Sequence, residues 1–499
     1  MKKPIARELV SHVNTGTGVP RDELAWPATN GRVMRLPSLH VEVDSRATVT
    51  PFGGLALAVE FVRRFRVAQR IDAHLHLLKL NLPYFESDHV LAQAFNLYVG
   101  GTCLEDVAVL QHDEAARRML GACRLPDPTT AGDFLRRFDG DAPLGQLRAA
   151  IDEVQDAVWR KLPRRRRQWA TIDLDGKVKE FYGVQKEGAD FSYSGKWSYH
   201  PLMASLAETG ECLASRNRPG NKRSSEGAAE LVDEILPRVK ARFATVLVRG
   251  DSDFDRTDLR QVVEKHGAYF AFVARETGVR PTLAEGLDES AWRPYANPKH
   301  RSHATKGPKR KTGPNRRRRQ ARKRGYRDVR QIKQWVTEIA WKPKGADRAC
   351  RLVIRRQLVE ECKGERLLFQ TYRFHYVLTN LPADYSPHDV IDVTYQRCDQ
   401  ENLIEQMGSG LAMWRMPVAE FQGNSAWLEI GRLAWNLAKW IALLALAPEV
   451  IRWEWKRFRF AFVYLAAEVV TRARQTWLRF PRTHRFLGAL LQAQAALSP

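Results

Sequence analysis

Between residues 51 and 158, apolar positions recur every three or four residues. Leu55, Val59, Val62 and Phe65 fall on one helix face, and Val90, Ala94 and Leu97 repeat the spacing. The run 125–130 (LPDPTT) joins a loop to a helix start signal, and Phe134 and Leu135 open the next apolar face. The stretch predicts an all-helical region. Residues 1–50 have scattered Pro and Gly and no firm period. Beyond 160 the period changes. WATIDLDG (169–176), EFYGVQ (180–185), PLMASLAE (201–208) and GECLASR (210–216) predict short strands, the last two joined by a turn at Thr209 and Gly210. An amphipathic helix is expected over 227–243, a buried strand over 245–254, a helix over 255–266 and a strand over 268–275. Further strands are expected at 332–341, 351–359 and 367–381, then helix over 390–445 and helix with strand pieces over 450–499.

These segments predict an α+β multidomain chain. Its parts are an N-terminal arm (1–50), a helical domain (51–160), the first part of a mixed α/β core (168–275) and a β-rich insertion (276–375). The second part of the core (376–445) carries a helix with Glu401, and a helical C-terminal region (446–499) follows.

Composition excludes two classes. With 499 residues and 44% apolar content the chain is too apolar to be disordered as a whole. The longest apolar stretch, Leu433–Pro448, is short for a membrane span and holds Asn436 and Lys439, so it predicts a buried helix and no membrane partner. The start, MKKPIARELV, lacks an apolar signal core, and six cysteines lie scattered without CxxC spacing. Both point to a cytoplasmic protein with reduced thiols.

Charge adds a partner. The net charge is +23, which calls for a polyanion, nucleic acid first. Residues 299–333 hold 16 Lys and Arg against one acid, Asp328, so this segment alone carries +15. Gly307, Pro308, Gly313 and Pro314 interrupt it, which predicts a flexible arm that grips phosphates without reading sequence. Lys309, Arg310, Lys311, Arg316, Arg317, Arg318 and Arg319 are its densest part. A second cluster, RKLPRRRR (160–167), precedes the first strand of the core.

The candidate chemistry lies in carboxylates. Asp173 and Asp175 stand two apart on one strand and so share a face. Asp251 ends the next apolar strand, with Asp253 and Asp255 beyond it. On the helix after the insertion, Arg397 and Glu401 are four apart and Glu405 follows one turn on. Three such acids at a sheet edge can hold two Mg²⁺ or Mn²⁺ ions about 4 Å apart, which suits phosphodiester chemistry and needs no Cys or His ligand. Taken singly, each pair also fits a turn, a helix cap or an exposed ion-pair helix.

In combination and order, several segments resemble the DDE transposases of bacterial insertion sequences, and within them the insertion-sequence thirteen-eighty group. They are FGGL near Phe52, IDLDG (172–176), YGVQKEGA (182–189), TGECLASRNRPGN (209–221), VRGDSDFD (248–255), YVLTNL (376–381) and YQRCDQENLIEQM (395–407). The resemblance implies an RNase H-like core interrupted by the insertion, and cut-and-paste transposition. The catalytic, metal-binding acids would be Asp175, Asp251 and Glu401, with Asp173 able to share or replace the first. Arg397 would be the signature arginine. Two Mg²⁺ or Mn²⁺ ions, DNA partners (terminal inverted repeats bound by the N-terminal helices, flanking DNA and target DNA) and a homodimer in the DNA complex are implied as well. So is a bacterial, nucleoid-associated location. The chain departs from the family pattern at Lys177, Asp253 and Gly408, where Thr, Gly and Lys are usual, and Tyr395 is one residue closer to Arg397. A catalytically silent DNA-binding descendant and an RNase H-like nuclease without strand transfer are the alternative readings.

Arg218, Lys222 and Arg223 flank a Pro219-Gly220 turn and are candidates for a basic loop over DNA. Trp292, Trp335 and Trp341 lie around the insertion, as core residues or as platforms for a flipped base. His74 with His76, and His300 with His303, lack a metal spacing with acids. The stretch 457–480 is basic and amphipathic.

Overall fold

A computed structural model describes residues 38–41, 47–296, 316–343, 345–346, 348–473 and 475–498. Helices α1 (Ala56–Arg64), α2 (Val67–His74), α3 (Glu86–Val99), α4 (Ala108–His112), α5 (Glu114–Leu120), α6 (Pro128–Arg136) and α7 (Asp141–Lys161) fill the region where the 3.6-residue period is clearest. Asp127 caps α6 by accepting from the Thr130 N–H, as the LPDPTT signal implies.

The sheet follows. Its strands are β2 (Trp169–Gly176), β6 (Leu202–Leu206), β7 (Cys212–Arg216), β8 (Thr245–Gly250), β9 (Tyr269–Ala274), β10 (Arg293–Pro294), β11 (Arg327–Trp341), β12 (Cys350–Lys363) and β13 (Arg366–Thr379). They form one nine-stranded sheet in the order β10-β11-β12-β13-β9-β8-β2-β6-β7. β8 runs parallel to both β2 and β9, and the remaining neighbours are antiparallel. Helices α8 (Ala228–Lys240) and α9 (Thr257–Lys265) make the two crossovers, and the short helix α10 (Arg280–Glu285) follows β9. The fold is therefore mixed α/β with one large mixed sheet.

The insertion strands extend this sheet. β13 crosses the expected boundary at 375/376, because Tyr376–Thr379 pair with β9 while its earlier half pairs only with β12. The segment 180–185 is not a strand beyond Glu180. Short strands β3 (Lys179–Glu180), β4 (Asp190–Phe191) and β5 (Trp197–Tyr199) make a small separate sheet there.

From Arg316 onward the basic segment differs from the flexible arm expected over 299–333. Residues 299–315 lie outside the described residues. Arg316–Arg324 form helix α11, since Arg and Lys are good helix formers. From Arg327 the chain is strand β11, held opposite β12 as far as the Arg327–Lys363 pair.

Helix over 390–445 resolves into three pieces: α12 (Pro387–Tyr395), α13 (Cys398–Ser409) and α14 (Phe421–Ala445). The break after α13 coincides with Gly408, Gly410 and Pro417, and Ala412 and Met416 adopt positive φ. α14 contains the longest apolar stretch and is buried from Gly423 to Leu443. No helix among the described residues is long and apolar enough to cross a membrane. Beyond it come α15 (Trp455–Phe462), a hairpin of β14 (Ala467–Arg472) and β15 (Gln475–Arg479), and α16 (Leu487–Leu497); β14 also pairs with β1 (Val49–Thr50).

α14 joins the halves. Leu57, Val90, Leu97 and Leu147 of the N-terminal helices belong to the same buried cluster as Trp427, Trp435 and Trp440 of α14 and Ile172 of β2. Buried residues of this cluster therefore run continuously across position 160. At its centre the carboxylate of Glu211, fully buried, accepts from Gln155 (3.0 Å), Trp159 (3.1 Å), Trp440 (2.8 Å) and Thr209 (2.7 Å). This satisfied polar cluster ties α7, α14 and the edge of the sheet together.

Candidate active site

The register between β2 and β8 places the first two candidate acids. Asp173 pairs with Arg249 across the parallel ladder. Two residues further along each strand, on the same face, stand Asp175 and Asp251, level with one another where β8 has just ended. The carboxyl ends of parallel strands are where open α/β sheets offer functional groups.

Asp173 is committed elsewhere. Arg249 Nε and Nη2 each donate to one of its oxygens at 2.7 Å, with the two side chains 1% and 2% exposed. Arg249 also donates to the Val393 carbonyl of α12, and Gln400 of α13 donates to the Asp173 carbonyl at 2.8 Å. Both carboxylate oxygens of Asp173 are used in a buried fork with Arg249. The signal for this pairing was in the sequence: Arg249 precedes Asp251 by two, as Asp173 precedes Asp175.

Asp175 and Asp251 share a cation. Arg397, between α12 and α13, donates to Asp175 Oδ2 at 3.3 Å and lies 3.8 Å from Asp251 Oδ2. Asp175 also accepts from the Gly176 N–H at 2.8 Å, and Asp251 from the Asp253 N–H at 2.9 Å. Burial pushes the Asp175 carboxyl above the usual carboxylate range; Arg397 opposes this and the Asp251 charge adds to it. Gly176 is required by packing, since a Cβ there would come within 2.5 Å of His200 Nε2.

Glu401 does not join the pair. α13 turns Gln400, Ile404 and Met407 inward, and at about 100° per residue the position after Gln400 faces solvent. Glu401 is exposed, and Glu405, also exposed, lies 3.8 Å from Lys177. The expected convergence of three acids is therefore two acids around an arginine. Among the described residues no group of three or more His, Cys, Asp or Glu is placed to hold a metal ion. Asp253 pairs with Arg275, and Asp255 with Arg260 and Arg280.

The basic loop is corrected in one residue. Arg218 is buried and serves the loop itself: Nε donates to the His200 carbonyl at 2.8 Å, and Nη1 donates to the carbonyls of Arg223, Ser224 and Glu226. Burial lowers its pKa to about 10. It is not a surface contact. Lys222 pairs with Glu226 at 2.5 Å and Arg223 is exposed. Lys309, Arg310 and Lys311 lie outside the described residues; Arg316, Arg317, Arg318 and Arg319 open α11, and Arg319 is exposed.

The insertion tryptophans carry cations. The Arg356 guanidinium lies 4.4 Å from the Trp292 ring, 4.9 Å from Trp335 and 4.9 Å from Tyr372, and forks onto Glu289 at 2.6 and 2.7 Å. Arg280 lies 5.9 Å from Trp341. His74 pairs with Glu153 at 3.0 Å.

A family model described as "Transposase DDE domain group 1" matches residues 35–499. Among solved structures the chain is similar to one described as a cryo-EM structure of piggyBac transposase synaptic complex with hairpin DNA. That match has 11% identity and a TM-score of 0.38, covering 83% of this chain and 81% of the other. Comparison with curated proteins finds no match.

Proposed function

The chain belongs to the DDE transposase family of domain group 1, and from that premise we propose that it cuts and joins DNA at the ends of a mobile element by a cut-and-paste route. The observation that carries the reading is the level placement of Asp175 and Asp251 at the ends of two parallel strands, sharing one cation. The order and directions of β7-β6-β2-β8-β9 support an RNase H-like core.

The donor set fits divalent cations. Two hard carboxylates, one of them raised chiefly by burial and further by the charge of the other, stand around a guanidinium. Asp175 and Asp251 would hold Mg²⁺ or Mn²⁺, and Glu401 is the acid we assign as third ligand. Bound there, two such ions would supply Lewis acidity to the attacking water or 3′-hydroxyl and to the leaving oxygen. Arg397 neutralises the aspartates in the ion-free protein, and when released its fork suits a DNA phosphate. The order of segments further supports membership of the insertion-sequence thirteen-eighty group, a bacterial cytoplasmic setting and a homodimer that holds two element ends together.

A second reading, a catalytically silent DNA-binding descendant, is favoured by one observation: Glu401 stands outside the aspartate pair. A nicking and strand-transfer assay with Mn²⁺ and DNA carrying the element ends separates the two. The first reading expects metal-dependent cuts and joined products, lost in Asp251→Asn and in Glu401→Gln. Binding without nicking supports the second, and cuts that are never joined indicate a nuclease. If both variants cut as well as wild type, the site assignment is wrong.

A further inference from the structure

A cavity of about 770 Å³ opens between the α1–α2 elbow and the C-terminal end of α7. Six cations line it: Arg63, Arg64, Arg66, Arg70, Arg160 and Lys161. Three acids answer part of this charge. Glu60 pairs with Arg63, Glu153 with Arg70, and Asp156 with Arg160, but Asp156 is also forked by Arg242. Arg64 donates to the Ala496 carbonyl at 2.5 Å. Arg66 and Lys161 are exposed and make no ion pair among the described residues. Two more exposed cations, Arg164 and Arg165, follow at once.

Cations at the ends of α1 and α7 favour those helix C-termini, and this accounts for some of the cluster. Arg66 follows the C-cap of α1: its N–H donates to the Arg63 carbonyl at 3.2 Å, and its φ of 49° ends the helix where Gly or Asn is usual. Arg is costlier there than Gly or Asn, and its exposed side chain lines the cavity with no ion pair among the described residues. Unanswered positive charge around a concavity is the usual footprint of a row of phosphates.

Building on the reading above, we propose that this elbow is a phosphate-backbone clamp for duplex DNA, separate from the carboxylate pair and indifferent to sequence. Arg66 and Lys161 are its free contacts, and Arg63, Arg64, Arg70 and Arg160 are held in place by the partners just named. Guanidinium and ammonium groups on diester oxygens fix the position of a duplex without reading bases.

The test uses full-length protein with the double variant Arg66→Asn, Lys161→Gln; Asn tolerates the left-handed backbone at 66. Binding to end-containing and to unrelated duplexes of equal length is measured from 50 to 200 mM salt. Loss of two phosphate contacts should lower the salt slope by about 2 and weaken both duplexes by about tenfold at the upper end of the range. Metal-dependent nicking at saturating DNA should persist in this variant. Asp175→Asn should bind DNA as wild type does without nicking it, so failure of the clamp and failure of the active site give different results. A thermal shift with unchanged DNA binding would mean the cations only complement helix ends, and overturns the clamp. So would weakened binding of the end duplex alone, or an unchanged salt slope with lost binding to anionic phosphatidylserine vesicles.

Discussion

The choice between Asp173 and Asp175 makes two outcomes separable. Replacing Asp173 by Asn leaves Arg249 buried, 1% exposed, with one of its two 2.7 Å charged bonds gone and an amide facing the other. Removing one member of a buried pair costs about 3–5 kcal/mol. At roughly 2.1 cal/mol/K per residue, a chain of 499 residues melting as one unit has an unfolding entropy of about 1 kcal/mol/K, so Tm should fall by about 3–5 °C. Replacing Asp175 by Asn should act in the opposite sense. Its carboxyl is raised in the fold, so the native state holds a proton more readily than the unfolded chain. Stability from this group is therefore complete at low pH and is lost as pH rises through the raised value. The Asn variant escapes that loss, so at neutral pH its Tm should equal or exceed wild type, and the difference should vanish as pH falls through the carboxylate range. Cleavage should disappear in Asp175→Asn. Thermal melts from pH 3 to 8 with a nicking assay read both effects. If Asp173→Asn melts like wild type yet cannot cut, while Asp175→Asn cuts, the ligand is Asp173 and the reasoning fails.

Arg397→Gln leaves two like charges without their shared cation and should lower Tm at neutral pH by the equivalent of about 1–3 kcal/mol. Millimolar Mn²⁺ should restore the variant more than it stabilises wild type, and equal stabilisation would show that Arg397 does not compete for the site. Glu211→Ala strips one acceptor from Gln155, Trp159, Trp440 and Thr209 and should cost about 1–3 kcal/mol for each donor left buried without a partner, read by urea denaturation. His89, buried and stacked 4.4 Å from Phe134, is lowered from 6.5 to about 4 by burial. The unfolded chain binds its proton first, so stability falls as pH drops from about 6.5 to 4, by up to about 3 kcal/mol. His89→Phe should flatten that limb of the Tm profile.

Periodicity carried much of the fold. The helices of 56–161 and strands β2, β8 and β9 follow from apolar spacing, and α14 was visible as a buried rather than a spanning helix because Asn436 and Lys439 interrupt it. The aspartates were legible as strand-end acids. What decides their roles is long-range: the β2–β8 register gives Asp173 to Arg249, and only the tertiary path of the chain brings Arg397 between Asp175 and Asp251. Arg218 looks like a surface cation in sequence because nothing local reveals the carbonyls of 200 and 223–226 that surround it. The same holds for α11, where the part of the positive run from Arg316 to Arg324 is a helix leading into strand β11.

The most direct test locates the ion. Crystals or particles of the protein with end DNA and Mn²⁺, examined by anomalous scattering or density, should show manganese bound by oxygens of both Asp175 and Asp251, with Arg397 withdrawn from them and Glu401 turned toward the ion. Manganese bound elsewhere, or Arg397 still bridging the two aspartates beside a cleaved DNA end, would contradict the account.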